Sequence, residues 1–374
     1  MHPVHAGGQS RRDHCPSTPS HAMLIADLRQ RLRALGAGPE HERRVLRLWA
    51  HAQPQDSGPR RIETFLPQAL AQALPALSAE LAALAGLRSE HPAADGSARL
   101  LIALNDGQNV EGVLLPRDGL CVSTQVGCAV GCVFCMTGRE GLLRQLGSAE
   151  IVAQVVLARS RRPVKKVVFM GMGEPAHNLD NVLEAITLLG QEGAIAHKNL
   201  VFSTVGDLRV FERLLSSRVK PALALSLHTT RDALRRQLLP RAPHITAAEL
   251  VERGEHYARS TGYPIQYQWT LLEGINDGDD EVEGIISLLA GKYAIMNMIP
   301  YNAVEGLGFR RPPNERAEAM ALRLNQRRVL TRLRHSAGQD VAGGCGQLRA
   351  RGAVRVADAP AQHISIVPAP SRLA

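Results

Sequence analysis

Cys128, Cys132 and Cys135 stand as C-x3-C-x2-C within the run Gly127-Cys128-Ala129-Val130-Gly131-Cys132-Val133-Phe134-Cys135. Three thiolates this close together on one loop are suited to three irons of a cubane iron–sulfur cluster. The fourth iron then has no protein ligand and stands open to a small molecule. A structural zinc ion wants four closed ligands in a tetrahedron. No further Cys-x2-Cys and no paired His lies nearby to complete one. Zinc is therefore the weaker metal reading, and inert buried cysteines are weaker still. The spacing predicts one 4Fe–4S cluster per chain, held by three cysteines.

The elements around this loop must place an open iron beside a ligand cavity. Short apolar runs fall at Leu120–Ser123, Lys166–Met170, Leu200–Thr204, Ala222–Leu227, Ile265–Leu271 and Tyr293–Ile299. Amphipathic stretches lie between them, at Ser148–Arg159, Leu179–Gly190, Ala247–Ser260 and Asp279–Leu289. Six such alternations imply a parallel sheet with ligands at the C-terminal strand ends. The fold class expected is α/β, a partial (βα)6 barrel of TIM type with a small helical N-terminal domain. No G-x-G-x-x-G follows an early strand, which disfavours a dinucleotide-binding fold. Ahead of the barrel, Arg99–Leu104 and Val110–Leu115 flank Asn105-Asp106-Gly107-Gln108 and read as a hairpin. Helices are expected over Met23–Leu35, Glu40–Ala52 and Ile62–Leu87, and a last one over Pro313–His335. The division expected is a disordered tail (1–21), a helical RNA-binding-like module (22–90), a hairpin extension (91–115), the barrel (116–338) and a C-terminal segment (339–374).

The chain has 374 residues and a formal charge of +9, with 44 Lys+Arg against 35 Asp+Glu. From Phe309 onward 12 arginines face four acidic residues, so most of the excess lies in this part. Guanidinium groups grip phosphate oxygens in pairs, so an anionic partner such as RNA is favoured. Arg316, Arg323, Arg327 and Arg334 read as one basic helix face, and Arg29, Arg31, Arg33, Arg43, Arg44 and Arg47 as basic faces of the N-terminal module. A solvated face is the plain alternative. No apolar run reaches the roughly 18 residues of a membrane span, and no apolar segment marks a secretory signal. Six cysteines are too few for a disulfide scaffold in so long a chain. A cytoplasmic protein with no membrane partner is expected.

The spacing, with Phe134 before the last cysteine, resembles the radical SAM superfamily. The resemblance implies S-adenosylmethionine (SAM) bound at the open iron and cleaved to a 5′-deoxyadenosyl radical. Gly171-Met172-Gly173-Glu174-Pro175, one βα unit later, resembles the turn that receives the SAM amino group. Further blocks narrow the likeness: Cys121-Val122-Ser123-Thr124-Gln125-Val126-Gly127-Cys128, Ser226-Leu227-His228, Ile299-Pro300-Tyr301-Asn302 and Cys345-Gly346-Gln347-Leu348. Together, from about residue 99 to 348, they resemble the adenosine-C2 methyltransferases of ribosomal RNA, the RlmN/Cfr family.

That resemblance implies the following roles. Cys345, as thiolate, takes a methyl group from one SAM; a second SAM supplies the radical; the activated carbon adds to adenine C2. Glu111 removes the ring proton, and Cys121 attacks the sulfur of Cys345, forming a transient disulfide that frees the methylated base. Gly173, Glu174, Pro175, Ser203, Ser226, Leu227, His228, Asn302 and Phe134 are the implied cofactor contacts. Ribosomal RNA is the implied substrate, with transfer RNA a second, and a flavodoxin-type electron donor and a monomeric state are expected. Without the resemblance, Cys121 and Cys345 read as small buried hydrophobes and Glu111 as a solvated hairpin charge.

The sequence departs from the family pattern in its loops, at Met136–Gly141, at Val205 of Ser203-Thr204-Val205-Gly206 and at Ala337–Gly344. These changes bear on the RNA target and on C2 against C8. Two other readings stand beside the first: a radical SAM enzyme acting on a peptide or small molecule, and a non-enzymatic metal-binding RNA-associated protein. Cys15, in the tail, is assigned nothing.

Overall fold

The computed structural model describes residues 22–58, 61–304 and 306–349. The expected disordered tail, Cys15 and the arginines beyond Arg349 lie outside the described residues.

Helical periodicity decides the first elements. In α1 (Ile25–Ala34) Ile25, Leu28 and Leu32 are buried; in α2 (Pro39–Ala50) Val45, Leu46 and Trp49 are. A short α3 (Ile62–Phe65) leads into α4 (Gln68–Ala83), which buries Leu70, Leu74, Leu77 and Leu81. These stripes join the same apolar core as the helices behind the sheet. Strands β1 (Gly86–Pro92), β2 (Ala98–Ala103), β3 (Asn109–Leu115) and β4 (Gly119–Cys121) follow as an antiparallel ladder. A small pair, β5 (Gln125–Gly127) and β6 (Leu142–Gln145), brackets the cysteine loop.

The βα units then run α5 (Ser148–Arg159), β7 (Lys166–Phe169), α6 (Leu179–Gln191), β8 (Leu200–Thr204), α7 (Leu208–Ser216) and β9 (Ala222–Ser226). They continue with α8 (Asp232–Leu238), α9 (Ala247–Thr261), β10 (Ile265–Leu271), α10 (Asp279–Leu289), β11 (Ala294–Pro300), α11 (Asn314–Gln326) and β12 (Thr331–Leu333). One sheet runs β1-β2-β3-β4-β7-β8-β9-β10-β11-β12, parallel from β4 onward. The six expected barrel strands are β4, β7, β8, β9, β10 and β11. This is the partial barrel the alternation implied. Small side chains, Val201, Ala222 and Ala224, form a cluster of their own apart from the main core.

Two expected helices are cut short. The stretch Ile62–Leu87 breaks at Leu66-Pro67, ends at Ala83, and gives way to β1. Leu87-Arg88-Ser89-Glu90-His91 has little apolar alternation; its ladder partner β2 makes it a strand. The last helix ends at Gln326 rather than His335. Arg328 turns the chain at φ 62°, and Asn325 clasps Thr331 through N–H and carbonyl at 3.0 Å each. Thr331–Leu333 then pairs with β11, so Arg334 leaves the helix face.

Candidate active site

The cysteine loop leaves β5 through Gly127, at φ 80°, where a Cβ would lie 2.1 Å from the Gly141 carbonyl oxygen. Gly131 turns it at φ 65°, and a Cβ on Gly138 would sit 2.7 Å from the Gly131 Cα. Only glycine allows approaches this close. Cys128 is buried, Cys132 and Cys135 half-buried. Burial first, then its two neighbouring thiols, pushes the Cys132 thiol well above its ordinary pKa. Cys132 thus resists ionising beside the other two, a penalty that a bound cation reverses because metal ligation favours the thiolate. Three soft sulfur donors in a glycine-built loop suit by their chemistry the cluster the spacing predicts, although among the described residues the thiols are not drawn together into a metal-holding group.

Phe134 packs edge-on against His228, ring centroids 4.9 Å apart. His228 takes φ 61°, uncommon for a side chain with a Cβ. Its Nδ1 accepts from the Thr270 amide at 3.0 Å, and its carbonyl accepts from the Asn276 side chain at 2.7 Å. Burial and then Arg235 lower its pKa to about 3, so the ring is neutral near pH 7. Leu227 lies in the main core and its amide is bonded to the Gln268 carbonyl, leaving only its own carbonyl for a ligand. Ser203, one residue before the end of β8, and Ser226, the last residue of β9, lie at the C-terminal ends of their strands.

The Gly173-Glu174-Pro175 turn is fixed from two sides. Gly173 takes φ 101°, with Gln125 where a Cβ would be. The Glu174 amide donates to Gln125 Oε1 at 2.7 Å. The Glu174 carboxylate accepts from the amides of Ala176 and Val205, both at 3.0 Å, joining this turn to the end of β8. Burial raises its pKa to about 7 against those bonds.

Residues far apart in sequence converge on the segment 336–349. Asn302 Nδ2 donates to the Cys345 carbonyl at 3.0 Å and to Ser336 Oγ at 2.9 Å. The Met136 amide donates to the Gly346 carbonyl at 2.8 Å, and Thr137 Oγ1 to the Leu348 carbonyl at 2.7 Å. Cys345 is exposed; Cys121, at the end of β4, is buried. Burial and then the neighbouring Cys345 push the Cys121 thiol up to about 12, and Cys345 also bears on Cys135. Cys345 therefore lies within electrostatic reach of both the cluster loop and Cys121, and neither Cys121 nor Cys345 is in a disulfide.

Glu111 is not a solvated hairpin charge. It is fully buried and ion-paired with Arg99 Nη1 at 2.7 Å, and its other carboxylate oxygen accepts the Arg349 amide at 3.0 Å. Arg99, Gln125, Asn276 and Arg235 were not singled out from sequence. The one available signal was the placement of Gln125 inside the Cys121–Cys128 block.

The basic faces read from the sequence are largely neutralised. Arg316 and Arg323 pair with Asp279, and Arg323 and Arg327 with Glu283. Arg29 and Arg33 share Glu42, Arg31 meets Glu80, and Arg43 meets Glu40. Lys166 instead has its pKa lowered by burial and then by Arg334, Arg117 and Arg332. None of these four is in an ion pair among the described residues.

The sheet, the cysteine loop at its C-terminal rim and the glycine turn beside it define a radical SAM α/β enzyme. Residues 122–289 match the family model described as the radical SAM superfamily. A protein named "probable RNA methyltransferase" from Aromatoleum aromaticum is 74% identical over 88% of this chain and 93% of its own length. One of the same name from Stutzerimonas stutzeri is 69% identical over 88% of this chain and 97% of its own. The crystal structure of a radical SAM methyltransferase from Sphaerobacter thermophilus is 33% identical, with a TM-score of 0.76, covering 88% of this chain and 98% of that one. The chain belongs to the radical SAM methyltransferases. No helix among the described residues is long and apolar enough to cross a membrane.

Proposed function

We propose that this protein methylates RNA by the route of the RlmN/Cfr family, carrying a methyl group on Cys345 to C2 of an adenosine, in ribosomal RNA first and transfer RNA second. The observation that carries the reading is the meeting of Cys345, Cys121 and a buried Glu111 beside the cysteine loop. The printed names of the close relatives supply RNA as the substrate class.

Adenine C2 is electron-poor and does not attack a sulfonium methyl as an ordinary nucleophile. Cys345, exposed at the rim, reaches SAM as a thiolate and takes its methyl by displacement, with S-adenosylhomocysteine leaving. Bound through Cys128, Cys132 and Cys135, the cluster with a second SAM supplies the one-electron chemistry that activates that methyl. Gly173, Glu174, Pro175, Ser203, Ser226, Leu227, His228, Asn302 and Phe134 are assigned to the SAM pocket; neutral His228 offers no charge to repel the sulfonium. Glu111 accepts the ring proton. Once the adduct has given up one electron, Cys121 loses its own proton and attacks the Cys345 sulfur; the S–S bond forms as the bond from that sulfur to the transferred carbon breaks, and that carbon keeps the electron pair and takes up a proton to become the methyl group. Cellular thiols then reduce the resulting disulfide. That step, a flavodoxin-type electron donor and a monomer in the cytoplasm complete the proposal.

Nucleoside mass spectrometry of RNA from cells with and without the protein tests it. The expected result is one methyladenosine lost on deletion and restored by the gene; identical nucleoside profiles would refute the reading. A peptide or small-molecule substrate would give unchanged RNA together with SAM cleavage.

Among the described residues Arg117, Lys166, Arg332 and Arg334 form a group of cations outside any ion pair, and we assign phosphate contacts to it. Changing Arg332 and Arg334 together to alanine should flatten the salt dependence of RNA affinity, by about one to two in the log–log slope. Titrations between roughly 50 and 200 mM salt measure this. An unchanged slope would move the phosphate contacts elsewhere.

A further inference from the structure

Strand register puts Arg99, Glu111 and Cys121 on one face of the sheet. Arg99 on β2 is paired with Val113 on β3, and Val113 with Cys121 on β4. Glu111 lies two residues from Val113, so it shares that face. Over this row runs the segment that carries Cys345: a Cβ on Gly343 would meet Arg99 Cβ at 3.4 Å and Val113 Cγ2 at 3.6 Å.

The two ends of that segment are tied to one ion pair. Arg99 Nε donates to the Val341 carbonyl at 2.6 Å, while its Nη1 holds Glu111 Oε1 at 2.7 Å. The other Glu111 oxygen accepts the Arg349 amide at 3.0 Å. Val341 and Arg349 stand four residues before and four after Cys345. The pair therefore pins both ends of a strap whose exposed middle is the cysteine.

We infer that Arg99 is a positioning residue, whose guanidinium fixes the Glu111 carboxylate and the Cys345 strap relative to each other and to Cys121. This rests on the proposed roles of Cys345 as carrier and Glu111 as base. Those groups must act on one adenine ring and one sulfur, and small misplacements of reacting groups cost much rate. The planar fork suits the task, because Nε and Nη1 point to two partners in fixed directions. A lysine ammonium keeps the charge but offers a single donor point. Loss of the cation takes from the buried Glu111 the counter-charge that Arg99 supplies.

Holoenzyme of Arg99→Leu and Arg99→Lys, each with its cluster reconstituted, is compared with the unaltered protein by amide hydrogen exchange. In Arg99→Leu, exchange across residues 341–349 is expected to quicken about tenfold or more while β7–β11 keep their protection. Turnover on RNA should show kcat down roughly 10- to 100-fold with KM for RNA within about twofold. Arg99→Lys should fall between on both measures, and it carries the test if Arg99→Leu does not fold. Unchanged strap exchange in the folded variants overturns the inference. So does loosening spread evenly over the whole sheet, which marks a structural role only. Absence of RNA turnover in the unaltered protein would instead count against the proposed function, and the exchange measurement would still decide the role of Arg99.

Discussion

Cys345→Ala abolishes methyl transfer, by at least about a thousandfold, while the iron content and the melting temperature stay where they were. The size follows from covalent catalysis: removing the group that forms the intermediate removes the route, and other contacts cannot replace it. Its side chain is exposed, so truncation leaves no core cavity. The segment keeps its place, because Asn302 holds the Cys345 carbonyl and not its sulfur. Cys345→Ser should fail equally, since a hydroxyl does not ionise in this pH range and is a poor methyl acceptor. Peptide mass spectrometry gives the second readout, one methyl group on Cys345 in unaltered protein incubated with SAM and none in either variant. Full turnover by Cys345→Ala would end the carrier proposal outright.

Cys132→Ala produces the opposite pattern. The iron per chain falls close to zero, and reductive SAM cleavage falls to background. Cys132 is the middle of the three thiols and has both of the others as electrostatic neighbours. With two sulfurs left, a cubane would have two irons without protein ligands. Metal analysis and the cluster's visible absorption measure the first effect, and 5′-deoxyadenosine release measures the second. Iron retained at the unaltered level would refute the three-cysteine ligand set. The two variants together separate the cluster from the carrier: one loses the metal, the other keeps it and loses transfer.

The cysteine loop was legible because its ligands lie within eight residues, where spacing alone fixes what the loop can hold. The barrel strands were legible too, since each is an apolar run bounded by polar turns. Strand β1 and strand β12 were not, because both owe their structure to a neighbouring strand more than to their own periodicity. The arginines of α11 misled for a related reason. Charge is counted along the chain, but Asp279 and Glu283, which neutralise those arginines, come from α10.

By itself, then, the amino-acid order determined the local chemistry: three sulfurs able to share a cluster, a glycine turn one unit later, and the alternation that builds a parallel sheet. Tertiary structure alone decided that Glu111 is buried and paired with Arg99, that the Cys345 segment is tied down at both ends, and which cations among the described residues stay out of ion pairs. Spacing within one loop is fixed by covalent geometry, whereas a contact between residue 99 and residue 341 exists only after the sheet has paired and the chain has folded back over it.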